Sequence, residues 1–256
     1  MRATIIGSGA AAPSPTRVQA GVLVETGPIR VLVDCGSGVV HRLAALGLDW
    51  SGITHLALTH FHADHISDLV TLFVAWRYGQ LPPRTAPLMV IGPPGTLGLL
   101  DRLAAAFDVD VTGYGFPVTA IELPRGGTTP LGGGVSLASH PVPHTPESVA
   151  YSVSDGVRRL VISGDTSEDE AFADWAAGCD ALLLECSLPE SMAVPSHLTP
   201  ERVGRMAARA RPGRLVCTHL YPPLEGADIT GAIARWWHGP VTVAHDGLVL
   251  ALQGND

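Results

Sequence analysis

Thr59-His60-Phe61-His62-Ala63-Asp64-His65 decides how this 256-residue chain is read. Three histidines and an aspartate fall within six residues, between an apolar run at 53–58 and an amphipathic stretch at 66–78. The apolar run predicts a strand. The stretch after the motif predicts a helix, because Leu69, Leu72, Phe73 and Trp76 recur at three- and four-residue spacing. A loop at a strand end can turn several polar side chains into one opening, and His60 and His62 converge if that loop is extended. Neutral imidazoles and carboxylate oxygens suit zinc, and also manganese or iron. A polar helix-capping loop is the plainer account, but it has no need of three imidazoles.

Outward from the motif, short apolar runs alternate with amphipathic ones. Strands are expected at 3–6, 21–25, 29–33, 88–91, 118–123, 135–140, 149–153, 160–162, 181–185, 215–218, 241–244 and 248–252. Helices are expected at 39–46, 96–107, 168–177, 200–210 and 229–237. Thr199 is placed as the cap of the 200–210 helix, with Pro200 in its first turn. Residues 128–134, Thr-Thr-Pro-Leu-Gly-Gly-Gly, read as a loop. The pattern implies helices packed on sheets within one domain, 1–256. His144, Asp165 and His219 each follow an apolar strand, so a sheet can aim all three at one edge. Each alone would pass for a structural residue.

Composition narrows the function. The formal charge is -8, from 16 Lys+Arg against 24 Asp+Glu, and such a field does not steer a large polyanion. Arg202, Arg205, Arg209, Arg211 and Arg214 form a loose basic region, read first as a solvated face. No apolar run is long enough to span a membrane, and the first nine residues lack a signal-peptide core, so a cytoplasmic location is expected. Cys35, Cys179, Cys186 and Cys217 form no CxxC pair and read as reduced, mostly buried thiols.

The stretch His60-Phe61-His62-Ala63-Asp64-His65 resembles the HxHxDH signature of the metallo-β-lactamase fold superfamily. His144, Asp165 and His219 match the later ligand motifs in order, and Asp34 matches a support residue near the ligand loop. The resemblance implies an αββα sandwich: two mixed β-sheets packed face to face, with helices on both outer sides and metals at one sheet edge. It implies two divalent ions, zinc first, with manganese or iron as substitutes. His60, His62 and His144 would hold one ion, Asp64, His65 and His219 the other, and Asp165 would bridge them. Within the superfamily the order is similar to the ribonuclease Z group. Glu185-Cys186-Ser187 and Ser196-His197-Leu198-Thr199 resemble its later motifs. On that resemblance Glu185 orients His197, His197 assists the leaving oxygen, and Asp64 both ligates and orients water. Cys186 departs from the alanine common after the equivalent glutamate.

The expected function is therefore a metal-dependent phosphodiesterase acting on a small or nucleotide-type phosphodiester through a hydroxide activated by two metals. A lactonase or thioesterase could use the same site, and a ribonuclease Z-like RNA endonuclease is the second alternative. Precursor tRNA is disfavoured, because only 21 positions separate His144 from Asp165 and leave no room for a long gripping arm. An RNA-binding protein without catalysis and an iron redox protein are further, weaker readings. A homodimer is expected by resemblance. Trp236 and Trp237 could line its interface, but burial against the second sheet is the simpler expectation. Phe61 lines the mouth of the site or packs beneath it. Trp76 is read as core, and Leu188, Met192 and Val194 as a stretch able to form a lid.

Overall fold

The computed structural model describes residues 1–108 and 115–252. Its strands form two seven-stranded sheets among the described residues. The first runs β14 (Val249–Ala251), β1 (Arg2–Gly7), β2 (Gly21–Thr26), β3 (Ile29–Val33), β4 (His55–Ala57), β5 (Leu88–Gly92) and β6 (Val118–Glu122). The second runs β13 (Val241–Val243), β12 (Leu215–Thr218), β11 (Ala181–Glu185), β10 (Arg159–Ile162), β9 (Val149–Ser154), β8 (Val135–Pro141) and β7 (Thr128–Gly132).

Three apolar layers make this a four-layer αββα sandwich. Between the sheets, Ile5, Val24, Val31 and Ala57 pack with Leu137, Tyr151, Val153, Leu183 and Val216. On the outside of the first sheet lie α1 (Val39–Ala45), α2 (Ala63–Ile66), α3 (Leu69–Tyr78) and α4 (Thr96–Phe107), around Leu43, Leu72, Phe73, Trp76 and Leu100. On the outside of the second lie α5 (Glu170–Trp175), α6 (Pro200–Ala210) and α7 (Ile229–Ile233), around Phe172, Val203, Ala207 and Ile233. Strands buried on both faces read as nearly continuous apolar runs, and β11 is buried throughout.

The sheets aim the chemistry. β3, β4 and β5 are parallel, as are β10, β11, β12 and β13. β8 is antiparallel to β9, and β9 to β10, so β8 runs with β10. Asp34, His60, His144, Asp165, Glu185 and His219 all lie at or just beyond the C-terminal ends of β3, β4, β8, β10, β11 and β12. Ends of co-directional strands share one edge, which is why residues so distant in sequence meet.

Several expectations need correction. Residues 128–132 are a strand, not a loop. Pro130 is tolerated there because β7 is an edge strand with one partner, where a missing N–H breaks no ladder. The helix expected over 66–78 is two helices. α2 begins inside the histidine motif, and the chain breaks at Ser67-Asp68, where the Asp68 amide donates to the Cys35 carbonyl at 2.9 Å and its carboxylate accepts the Val40 amide at 3.0 Å. The last helix stops at Ile233. Trp237 packs on the helical layer, but Trp236 is 46% exposed, with Arg205 over its ring, so the pair is not buried together. Trp76 is fully buried, as expected of core. All four cysteines are free and buried. No described helix is long and apolar enough to cross a membrane.

Candidate metal centre

Two donor clusters share one residue. His60, His62, His144 and Asp165 form the first, and Asp64, His65, Asp165 and His219 the second. Within each, the ligand atoms lie within 4.8 Å of one another. Asp165 divides between them. Its Oδ2 lies 3.7 Å from His60 Nε2 and 3.6 Å from His144 Nε2, while its Oδ1 lies 3.2 Å from both His65 Nε2 and His219 Nε2. His219 Nε2 is also 3.3 Å from Asp64 Oδ2, and His144 Nε2 is 3.1 Å from His62 Nδ1. Donors around a tetrahedral zinc ion, each roughly 2.0–2.1 Å from it, sit about 3.3 Å apart. These spacings are close to that.

The buried atoms test the fit. His60 Nε2, His65 Nε2 and Asp165 Oδ1 have no hydrogen-bond partner, although His65 Nε2 and Asp165 Oδ1 are 3.2 Å apart. They approach without hydrogen-bond geometry, and leaving such groups unsatisfied costs on the order of 1–3 kcal/mol each. Nitrogen and carboxylate donors that converge without pairing fit a pair of divalent ions.

The outer faces of these rings are held. Asp34 accepts from His65 Nδ1 at 2.8 Å, and from the Thr59 amide and hydroxyl at 2.8 Å each. Thr59 Oγ1 lies 3.1 Å from His60 Nδ1. The Ser196 carbonyl accepts from His144 Nδ1 at 3.1 Å, and Ser187 Oγ lies 3.0 Å from His219 Nδ1. With Nδ1 engaged outside, Nε2 of His60, His65, His144 and His219 is left facing inward, the arrangement that orients histidines toward a metal, whereas His62 turns its Nδ1 toward His144 Nε2. The sequence marked Asp34 but gave no role to Thr59, Ser187 or Ser196.

Two of these positions carry left-handed backbone, Asp34 at φ 60 and His219 at φ 58. That conformation is uncommon outside glycine and persists where surrounding contacts over-determine it. Glycine holds the turn beside them. A Cβ on Gly36 would lie 2.0 Å from the Asp64 carbonyl oxygen, so only glycine lets the 34–36 turn close on the ligand helix.

The charges are coupled. Burial would raise Asp165, yet His219 and His65 hold its carboxyl well below the usual range. Burial disfavours a charged His65, but Asp165 and Asp34 raise it well above the usual imidazole value. Burial, then His65, pushes His60 far down. Asp165 thus stays ionised here, as metal ligation requires of a carboxylate.

Beside the clusters, His197 Nδ1 lies 3.0 Å from Glu185 Oε1 and 3.2 Å from Oε2. The His197 ring is 4.9 Å from that of His144 and 5.8 Å from that of His219. Burial opposes its protonation, but the Glu185 hydrogen bond and charge raise it above the ordinary value. Arg202 Nη1 donates to the Val194 and His197 carbonyls at 2.8 and 2.9 Å, holding this loop onto α6. Tyr221 sets its ring edge-on to His197 and His219, 6.3 and 6.0 Å away. Phe61 packs against the α1–α4 layer, beside Gly95. Met192 is 50% exposed in the segment read as a lid. Two arginines of α6 are neutralised: Arg205 pairs with Glu168 at 2.6 Å, and Arg209 with Glu170 and Asp174 at 2.6 Å.

The model of the beta-lactamase superfamily domain matches residues 29–220. A ribonuclease Z of Mycobacterium avium (strain 104) is 31% identical over 254 residues, which cover 91% of this chain and 89% of the relative. A ribonuclease Z of Mycobacterium bovis (strain BCG / Pasteur 1173P2) is 29% identical, with 95% of each chain covered. Among solved structures, the metallo-beta-lactamase fold protein YhfI from Bacillus subtilis aligns with a TM-score of 0.84 at 23% identity, over 97% of this chain and 98% of that one. Human tRNase Z, short form, aligns at 0.82 and 23%, over 99% and 100%.

Proposed function

The chain belongs to the metallo-β-lactamase fold superfamily, in its ribonuclease Z and phosphodiesterase branch, and is a metal-dependent hydrolase; we propose that it is a ribonuclease Z-like endonuclease cutting RNA phosphodiesters. The observation that carries this is the Glu185–His197 pair set against the two donor clusters. Near full-length similarity to relatives named ribonuclease Z supports it. The expectation against tRNA rested on the short 144–165 interval, in which β9 and β10 lie, and on the net charge of -8. Relatives named ribonuclease Z that match this chain over nearly its whole length support RNA as the substrate despite that interval.

A pair of divalent ions, zinc by donor type, would supply an activated water and neutralise charge developing on a phosphoryl group. His60, His62 and His144 would hold one, Asp64, His65 and His219 the other, with Asp165 between. The chain's own residues do the rest. Glu185 fixes the His197 ring through Nδ1 and favours its protonated form, whose Nε2–H can donate to the departing oxygen. Asp64, buried beside His219, orients the attacking water as well as ligating. The reading takes residues 1–256 as one hydrolase domain, since both sheets contribute to one core.

A second reading keeps the chemistry and changes the substrate to a small or nucleotide-type diester. The charge of -8 and the paired arginines of α6 favour it. Zinc-loaded protein should be offered a 3′-extended tRNA precursor, unstructured RNA, bis(p-nitrophenyl) phosphate, cyclic nucleotides, lactones and thioesters. A discrete, chelator-sensitive cut in the precursor supports the endonuclease. Turnover of small diesters alone moves the assignment to the second reading. Turnover confined to lactones or thioesters rejects both.

A further inference from the structure

Ser187 follows β11 and is fully buried. Its hydroxyl oxygen lies 2.5 Å from Glu185 Oε2, 3.0 Å from His219 Nδ1 and 3.2 Å from the His219 carbonyl. A hydroxyl has one proton to give, and an ionised carboxylate can only accept. The short contact to Glu185 therefore takes the Ser187 proton, and the Ser187 oxygen accepts from His219 Nδ1–H. That places the His219 proton on Nδ1. On that tautomer Nε2 is the bare nitrogen, 3.2 Å from Asp165 Oδ1 and 3.3 Å from Asp64 Oδ2, the second a contact with hydrogen-bond geometry that the other tautomer would use.

The backbone supports the same geometry. Ser187 N donates to the Leu198 carbonyl at 2.9 Å, and its carbonyl accepts the Tyr221 amide at 3.2 Å. The residue is thus pinned between the His197 loop and the turn where His219 holds its left-handed backbone. Glu185 is saturated on its other sides, by the Thr166 amide at 2.6 Å, His197 Nδ1 at 3.0 Å and the Leu198 amide at 3.1 Å. One carboxylate therefore anchors two imidazoles: His197 directly, and His219 through a single hydroxyl.

We propose that Ser187 is a positioning residue that sets the His219 tautomer and ties the Asp64–His65–His219 cluster to the Glu185–His197 pair. The inference rests on the reading of His219 as a metal ligand. Loss of such an outer hydrogen bond typically weakens metal binding roughly 10–100-fold.

The test is calorimetric titration of the metal-free protein with zinc chloride, with nitrogen-15 NMR of the histidines in the loaded form. The wild type should take up two ions per chain and show His219 protonated at Nδ1. Ser187→Ala should weaken one site about 10–100-fold, leave the other within about twofold, and lose the single His219 tautomer. Ser187→Thr, which keeps the hydroxyl, should restore both readouts. Thermal melting of each metal-free variant reports folding separately. Unchanged affinities in Ser187→Ala would overturn the proposal, as would equal weakening of both sites. So would a Thr variant that melts like wild type yet behaves like the Ala variant. If the wild type itself binds no zinc, the reading of the site fails, and with it the premise, not the Ser187 geometry.

Discussion

His65 Nδ1 lies 2.8 Å from Asp34 Oδ2, and the same ring's Nε2 lies 3.2 Å from Asp165 Oδ1. The two contacts assign the ring its two jobs. The outer nitrogen is fixed by a carboxylate that also grips Thr59, the residue before His60. One aspartate, itself held at φ 60, thereby sets the start of the histidine motif and its last ring together.

Asp34→Ala should therefore damage metal binding without touching a donor atom. We expect a loss of about 10–100-fold in zinc affinity, measured by competition with a chelating dye. Affinity within twofold of wild type would show that His65 is held by packing alone.

Gly36→Ala is predicted to destabilise by steric overlap. The added carbon would lie 2.0 Å from the Asp64 carbonyl, so the 34–36 turn and α2 must separate. Overpacking of this kind costs about 1–3 kcal/mol, read as a lower midpoint in urea at unchanged m-value. A midpoint equal to wild type would mean that the turn gives way freely.

The alkaline side of the rate profile belongs to His197 in this account. Its imidazolium is the donating form, and the Glu185 contact raises its pKa above the ordinary 6.5 despite burial. The donor is present below that raised value and lost as pH climbs through it. His197→Ala should cost about 10²–10⁴-fold in kcat and abolish the alkaline fall. Glu185→Gln removes the raising contact and should move the fall to lower pH. A profile unmoved by either substitution would remove His197 from the acid role.

Metal removal should cost stability as well as activity. Ions that bind only the folded chain stabilise it by mass action, about 4 kcal/mol at a thousand times the dissociation constant. A chelator should lower the thermal midpoint, and zinc should restore it. Equal midpoints in both states would mean that the folded chain holds no ion tightly.

How much of this was readable from sequence follows from how each feature is written there. The His60–His65 motif was legible because four donor groups fall within six residues, and no core explanation accounts for three imidazoles together. His144, Asp165 and His219 were legible only by position, each past an apolar strand, and the co-directional sheet then brings them together. Thr59 and Ser187 were not legible as orienting groups, since a hydroxyl beside a strand end has many uses. The Ser196 carbonyl leaves no mark in a sequence at all. β7 was hidden because Pro130 and three glycines carry a turn signal stronger than its strand signal, and an edge position forgives the proline. Trp236 was misplaced because the helix stops at Ile233, and in the turn beyond it only Trp237 packs on the helical layer.

The central claim is that the two donor clusters joined at Asp165 would hold two divalent ions. Native mass spectrometry of zinc-equilibrated protein tests it directly, with wild type compared against Asp165→Ala. The account predicts two zinc ions per wild-type chain and fewer than two in a folded Asp165→Ala variant. A folded wild-type chain without bound zinc, or a variant that still carries two ions, would contradict it.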